Sequence, residues 1–209
     1  DEQTTDQNGK ITFSNLPYGN YKIKETSSPE GFFLNTTIQD VSLTQSTKKI
    51  TVYDDAICKV KLIKSDENGT VLKDAVYDLF RDGNIPEKIG QYTTDDNGEI
   101  NVELKEGNYY FLEVKAPNGY EISNDKIKFT LDAVKDITKT VEAKDKEITY
   151  NIYISKVDED DETKLVAGAE LGLYKVEGAN DVLISKWKSV AGEKKYITGL
   201  KAGSYYVKE

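Results

Sequence analysis

Three stretches of the chain share one pattern: GNYKIKETSSPEGF at 19–32, GNYYFLEVKAPNGY at 107–120 and GSYYVKE at 203–209. Each places a Tyr two residues and a Glu six residues after a Gly, with offsets of 88 residues between the first and second copies and 96 between the second and third. One structural unit therefore recurs, and the fold has to be found for that unit rather than for the whole chain. In the middle copy Tyr109, Phe111 and Glu113 alternate, so in a strand all three side chains lie on one face. If that face is the core, a carboxylic acid sits among aromatic rings, which is costly unless it is paired or neutralised.

Other segments recur in step. TTDQNGKITF at 4–13 pairs with TTDDNGEINV at 93–102, each with an Asn-Gly turn between strand-like runs, a hairpin signal. CKVKLIKSDENGTVLKDAVYDLF at 58–80 pairs with YNIYISKVDEDDETKLVAGAELGLY at 150–174. Each of these runs as an alternating strand, a Lys, an acidic turn and a second alternating strand. The order within a unit is Lys strand, acidic turn, second strand, hairpin, Glu strand and final hairpin. Residues 56–146 hold the whole order, 1–55 read as the C-terminal part of one module, and 147–209 as the N-terminal part of another. Short strands between regular turn signals predict an all-β fold of tandem immunoglobulin-like sandwich modules. A module of this size suits one small core. Residues 85–92 and 176–188 resist assignment, with a short helix left open in either.

Composition narrows the chemistry. With 28 Lys and Arg against 37 Asp and Glu, the net charge is −9, which disfavours nucleic acid and anionic membrane, both bound through basic excess. No apolar run approaches the length of a bilayer span. No signal peptide, sorting signal or anchor is present, as expected of a cytosolic protein or of an interior piece of a longer one. The chain has no His and a single cysteine, Cys58. That excludes an internal disulfide, leaves the thiol without its usual base, and removes the ligands for zinc, haem and iron–sulfur sites. No cofactor is expected.

The Lys strands show the same inward parity as the Glu strands. Cys58, Val60, Leu62 and Lys64 share a face, and so do Tyr150, Ile152, Ile154 and Lys156. On the Glu strands the rows are Tyr21, Ile23 and Glu25; Tyr109, Phe111 and Glu113; and Tyr205, Val207 and Glu209. Opposite them stand Lys22, Lys24 and Lys208, although Tyr110 and Leu112 blur the contrast in the middle copy. The plain account is a set of strand-end residues reaching water, or a partly buried ion pair of small net value. The alternative uses burial as chemistry, since desolvation favours a neutral amine and a neutral carboxyl. A neutral amine is a nucleophile and a neutral carboxyl moves protons. Set against a third side-chain carboxyl or amide, such a pair can form an amide with no external catalyst.

The Lys strand followed by K-x-D, together with G-x-Y-x-x-x-E-x-x-x-P-x-G-[YF], resembles the CnaB-like (prealbumin-like, SpaA-type) domains of Gram-positive surface adhesins and pilins. The resemblance covers the whole chain. It implies a β-sandwich with an internal Lys–Asn or Lys–Asp isopeptide bond promoted by the glutamate of the E-box. Carried over by position, it makes Lys64 the nucleophile and Glu113 the promoter, with Lys156 and Glu209 corresponding in the third module and Glu25 alone in the first. The acceptor is expected on the last strand of a module. Residues 50–54 fit that strand in the first module, with Asp54 on the parity of Ile50 and Val52. In the second, Asp145 shares parity with Val141 and Ala143, but counted from the Thr-Val pair Asp54 corresponds to Ala143. Asp145 then requires a shifted or bulged strand, and Asp55 and Asn151 stand as weaker alternatives.

Other signals carry less. The acidic turns at 65–69, 95–99 and 158–162 lack the EF-hand continuation and read as solvated turns. Asn35 and Asn68 open formal glycosylation sequons without weight in a bacterial protein. Cys58 reads as a small buried hydrophobe, and Trp187, among charged neighbours, as a possible exposed contact. The resemblance implies non-enzymatic stalk or shaft modules of a cell-wall-anchored adhesin or pilin at the Gram-positive cell surface, with a host-matrix or glycan-binding module as the alternative. The expected partners are neighbouring modules of the same chain and host matrix through another domain. Head-to-tail self-association is a further option, because 147–209 supplies Lys156 while 1–55 supplies Glu25 and Asp54.

Overall fold

The computed structural model describes residues 1–178 and 180–209. Among them are fourteen strands and no helix. In chain order these are β1 (Gly19–Ile23), β2 (Gln39–Leu43), β3 (Cys58–Asp66), β4 (Val76–Arg81), β5 (Glu87–Thr93), β6 (Glu99–Leu104) and β7 (Gly107–Lys115). Then come β8 (Ile127–Leu131), β9 (Thr138–Asp145), β10 (Thr149–Ile154), β11 (Glu170–Lys175), β12 (Val182–Lys188), β13 (Lys195–Lys201) and β14 (Tyr205–Lys208). The chain divides into two compact units. One comprises 1–60, 102–107 and 130–139, and the other 61–101, 108–129 and 140–209.

The sheet orders display the repeat. The strands of residues 58–145 form the sheets β6-β3-β9 and β5-β4-β7-β8, the two layers of a sandwich. Residues 149–208 repeat part of this as β13-β10 and β12-β11-β14, and residues 19–43 repeat the β7-β8 pairing as β1-β2. Even an irregularity recurs: the register shifts between Leu79 and Phe80 against β5, and between Leu173 and Tyr174 against β12. Alternation in the sequence becomes alternation in burial. In β3, Cys58, Val60, Leu62, Lys64 and Asp66 are all buried while the residues between them are not. The second unit builds its core from Leu62, Tyr77, Leu79 and Phe111. The Tyr77 and Phe111 rings meet edge to face at 6.1 Å, and Phe111 stacks on Phe129 at 5.5 Å. A smaller cluster of Leu173, Ile197 and Leu200 serves the last strands.

Several local expectations change. The two segments left unassigned hold strands, β5 and β12, because each strand pairs along its length with a well-formed neighbour, β4 or β11, and this pairing overrides their weak alternation; residue 179 of the second lies outside the described residues. Residues 50–54 are not in a strand, although the expected parity holds in part. Trp187 is half-buried against the Leu173 cluster, opposite Leu171, and so is no free contact. Tyr110, on the outward parity of β7, is nonetheless buried, because Phe80 stacks on it at 5.0 Å and the Lys126 ammonium lies 4.3 Å from its ring centre.

The acidic turns have a structural use. The Asp66 Oδ1 accepts from the N–H groups of Asn68 and Thr70, both at 2.8 Å, and Asp95 does the same for Asn97 and Glu99 at 2.9 and 2.8 Å. These are Asx turns, and the backbone donors hold the Asp66 carboxyl below the usual range. The second turn ends on Gly98, whose φ of +71° favours glycine. A Cβ there would lie 2.6 Å from the Lys64 carbonyl oxygen and 3.0 Å from the Leu72 nitrogen. Both are backbone atoms, and Lys64 N–H donates to the Gly98 carbonyl at 2.8 Å. Gly98→Ala is therefore expected to destabilise the module by about 1–3 kcal/mol, read as a lower urea midpoint at unchanged slope.

Candidate functional site

Lys64 ends the apolar row of β3 and points into the sandwich. Its side chain is 0% exposed, so the strand-end account of Lys64 and Glu113, in which each reaches water, fails here. The ammonium lies 3.0 Å from Glu113 Oε1, which projects from β7 in the opposite sheet, and in direct contact with Asp145 Oδ1 at the end of β9 in its own sheet. Glu113 and Asp145 are both buried. Three strands thus converge on one cation and two carboxyl groups, sealed by Tyr77 of β4, whose ring centre is 5.4 Å from the ammonium.

Burial pushes the Glu113 carboxyl above its ordinary range. The Ser123 N–H, donating to Oε2 at 2.8 Å, and the Lys64 ammonium oppose this, while the Asp145 charge adds to it. With one cation between two carboxyls, a proton held at Glu113 is the physically economical state.

A loop of defined shape holds this arrangement. After β7, the P-x-G-Y segment turns with Tyr120 N–H donating to the Pro117 carbonyl at 3.1 Å, and Gly119 has a φ of +88°. Glu121 N–H then donates to the Lys146 carbonyl at 2.9 Å and Ile148 N–H to the Gly119 carbonyl at 2.8 Å. The same loop therefore supplies the Ser123 donor to Glu113 and grips the chain just beyond Asp145.

Residues 1–55 repeat the construction around a different pair. Asn35 N–H donates to Glu25 Oε2 at 2.7 Å, Phe32 N–H to the Pro29 carbonyl at 3.2 Å, Phe33 N–H to the Asp55 carbonyl at 2.9 Å, and Ile57 N–H to the Gly31 carbonyl at 2.8 Å. Glu25 and Asp54 are half-buried side by side. Burial, and then the Glu25 carboxylate, push the Asp54 carboxyl up. Glu25 lies beyond the end of β1 rather than in it.

Lys156 and Glu209 also meet, at 3.1 Å, but with 35% and 57% of their side chains exposed. The inward row expected for Tyr205, Val207 and Glu209 does not hold, since Val207 and Glu209 are exposed. The strand bearing Lys156 explains the difference: β10 has the single neighbour β13 among the described residues, whereas β3 lies between β6 and β9. Asn151 points away from Lys156, its Oδ1 accepting from Gly199 N–H at 3.3 Å, and Asp55 pairs with Lys105 at 2.6 Å. Cys58 is fully buried, and burial pushes its thiol up, as for an inert core residue. Among the described residues no group of His, Cys, Asp and Glu is placed to hold a metal ion.

Two site features escaped the sequence. Ser123 acts through its backbone, which carries no sequence signal. Tyr77 reads as one more inward aromatic in VYDLF, and only its placement beside Glu113 across β4 and β7 sets it apart.

Residues 1–56, 58–147 and 150–209 each match the family model described as the SpaA prealbumin-like fold domain, and the chain belongs to that family. Among solved structures, the Bacillus anthracis TIE protein superposes with a TM-score of 0.65 at 23% identity, over 98% of this chain and 38% of that one. A streptococcal ancillary pilin gives 0.44 at 22% identity, over 92% and 66%. BcpA, the major pilin subunit of Bacillus cereus, gives 0.43 at 21%, over 57% and 42%. The chain thus spans less than two-fifths of the TIE protein's length, and the likeness is one of fold. No curated relative matches the chain.

Removing the cation isolates what the two carboxyls need. In Lys64→Ala both buried carboxyls lose their counter-charge, so the rise already set by burial at Glu113 grows. A raised folded-state pKa contributes stability that is present below the ordinary carboxyl range and is lost as pH rises through the folded value. Lys64→Ala is therefore expected to be less stable at pH 7 than at pH 5, with a cost of about 3–5 kcal/mol at neutral pH, read from urea midpoints across that window.

Proposed function

We propose that residues 56–146 form a self-cross-linking structural module, flanked by parts of two like modules at 1–55 and 147–209. In this reading the chain is a length of stalk or shaft in a surface adhesin or pilin of a Gram-positive bacterium. The observation that carries it is the fully enclosed Lys64 ammonium, touching Asp145 and 3.0 Å from Glu113. A lysine placed only for stability gains little from such burial. A lysine placed to react gains a dry site, a held acceptor and a proton carrier.

The step is a condensation. Proton transfer within the cluster leaves a neutral Lys64 amine and a neutral Asp145 acid. The Lys64 nitrogen attacks the Asp145 carboxyl carbon, and the N–C bond forms. Glu113, which enters as the acid, gives its proton to the departing carboxyl oxygen and takes one in its place from that nitrogen. The C–O bond breaks and one water leaves, so Glu113 ends unchanged. By the same positions, Asp54 and Glu25 are the acceptor and promoter of the first module, and Lys156 and Glu209 the nucleophile and promoter of the third.

The link would suit a tensile role. It joins residues 81 apart in sequence, and by the reasoning used for disulfides, closing a loop of that length restricts the unfolded chain by about 4–5 kcal/mol. Pulling on the module would then load an amide rather than peel a ladder of hydrogen bonds. The intact protein is expected to be lighter than its summed residues by one water, with the Lys64–Asp145 pair recovered as a branched peptide after proteolysis. Lys64→Ala, Glu113→Ala and Asp145→Ala should each restore the full mass and lower the melting temperature. A wild-type mass equal to the sum of the residues would sink the proposal.

A further inference from the structure

Among the described residues, two buried side-chain polar atoms beside Lys64 lack a hydrogen bond of good geometry, the Tyr77 hydroxyl and Asp145 Oδ2, whereas Glu113 Oε1 has the Lys64 ammonium 3.0 Å away. A phenol is a donor and a carboxyl oxygen an acceptor. A protein interior seldom leaves a donor and an acceptor unpaired in one place, and such groups call for an explanation. Tyr77 is 1% exposed, stands opposite Glu113 in the β4–β7 register, and has its ring fixed edge to face against Phe111. Burial, then the nearby Glu113 and Asp145 charges, and last the approach of the hydroxyl to the Glu113 carboxyl push the phenol up, so it keeps its proton and remains a donor.

We infer that the Tyr77 hydroxyl is the hydrogen-bond donor to the acceptor carboxyl in the cross-linking step. This rests on the proposed Lys64–Asp145 condensation and adds a third group to it. Asp145 Oδ1 faces the amine and departs as water after receiving its proton through Glu113. Asp145 Oδ2 stays behind as the amide oxygen, and it carries negative charge while the carbon is tetrahedral. That oxygen is the one left unpartnered. A donor aimed at charge that develops only in the transition state speeds the step without strengthening the resting state. In the strands after Lys156, Leu171 stands where Tyr77 does, one residue before the Gly and two before the bulge-forming Leu173. The site at Lys156 therefore has no such donor at that position.

Tyr77→Phe tests the hydroxyl alone, because the ring and its packing remain. Wild-type and Y77F chains are made by cell-free translation, and water loss is followed over a chase by intact mass and by mobility on denaturing gels. Y77F is expected to cross-link about a hundredfold more slowly, in the range found for losing one such donor. A second comparison separates chemistry from packing. In an Asp145→Ala background, which cannot cross-link, adding Y77F is expected to leave the urea midpoint unchanged or raise it, because an unpartnered buried hydroxyl is being removed. Equal cross-linking rates in wild type and Y77F overturn the inference. So does a clear fall of the midpoint in the Asp145→Ala background, which would make Tyr77 a packing residue. A wild-type chain that never loses water overturns the condensation itself, and that outcome is read before the Tyr77 comparison is made.

Discussion

The structure turns on one lysine whose side chain has no surface open to solvent. Lys64 is enclosed by two sheets and meets two carboxyl groups, so the cluster carries either an uncompensated negative charge or an extra proton. Every strand that reaches the site must therefore end its apolar row at the right place. β3 does so with Lys64, β7 with Glu113 and β9 with Asp145, while β4 contributes Tyr77. A slip of one residue in any of them would turn the buried polar side chain to solvent and its neighbour inward.

The second constraint is the loop after the Glu strand. It supplies an N–H to the glutamate and clamps the segment beyond the aspartate, with the same backbone bonds around Glu25 and Asp54 as around Glu113 and Asp145. The copy at 19–57 keeps this geometry although, among the described residues, no lysine is paired with Glu25 or Asp54. The carboxyl pair is thus placed by the backbone of the loop and not drawn together by the cation. Pro fixes the entry to the turn and Gly the left-handed residue that follows, and this is the physical reason for P-x-G in both copies.

The three copies also show how much neighbouring strands decide. Lys64 and Lys156 occupy the same place in the same motif, yet one is sealed and the other is a third exposed. The difference is the second neighbour that β3 has and β10 lacks among the described residues. The ion pair of Lys156 with Glu209 is accordingly an ordinary half-wet contact, of small value as such pairs are.

Much of this was legible in the sequence. Repeats at fixed offsets set the module, alternation with an odd inward charge at the row's end picked out Lys64 and Glu113, and shared parity pointed to Asp145 over Asn151. The limits were equally physical. Residues 50–54 read as a strand that does not form, and β5 and β12 lacked a clean pattern because pairing with β4 and β11, not their own periodicity, makes them strands. The Tyr77 hydroxyl, the Ser123 N–H and the burial of Tyr110 had no local signature. Periodicity is a property of one strand, so the sequence by itself determined which side chains face inward. Which of those side chains meet, which stay dry and which polar atoms are left without a partner depend on strands distant in the chain, and only the tertiary structure decided them.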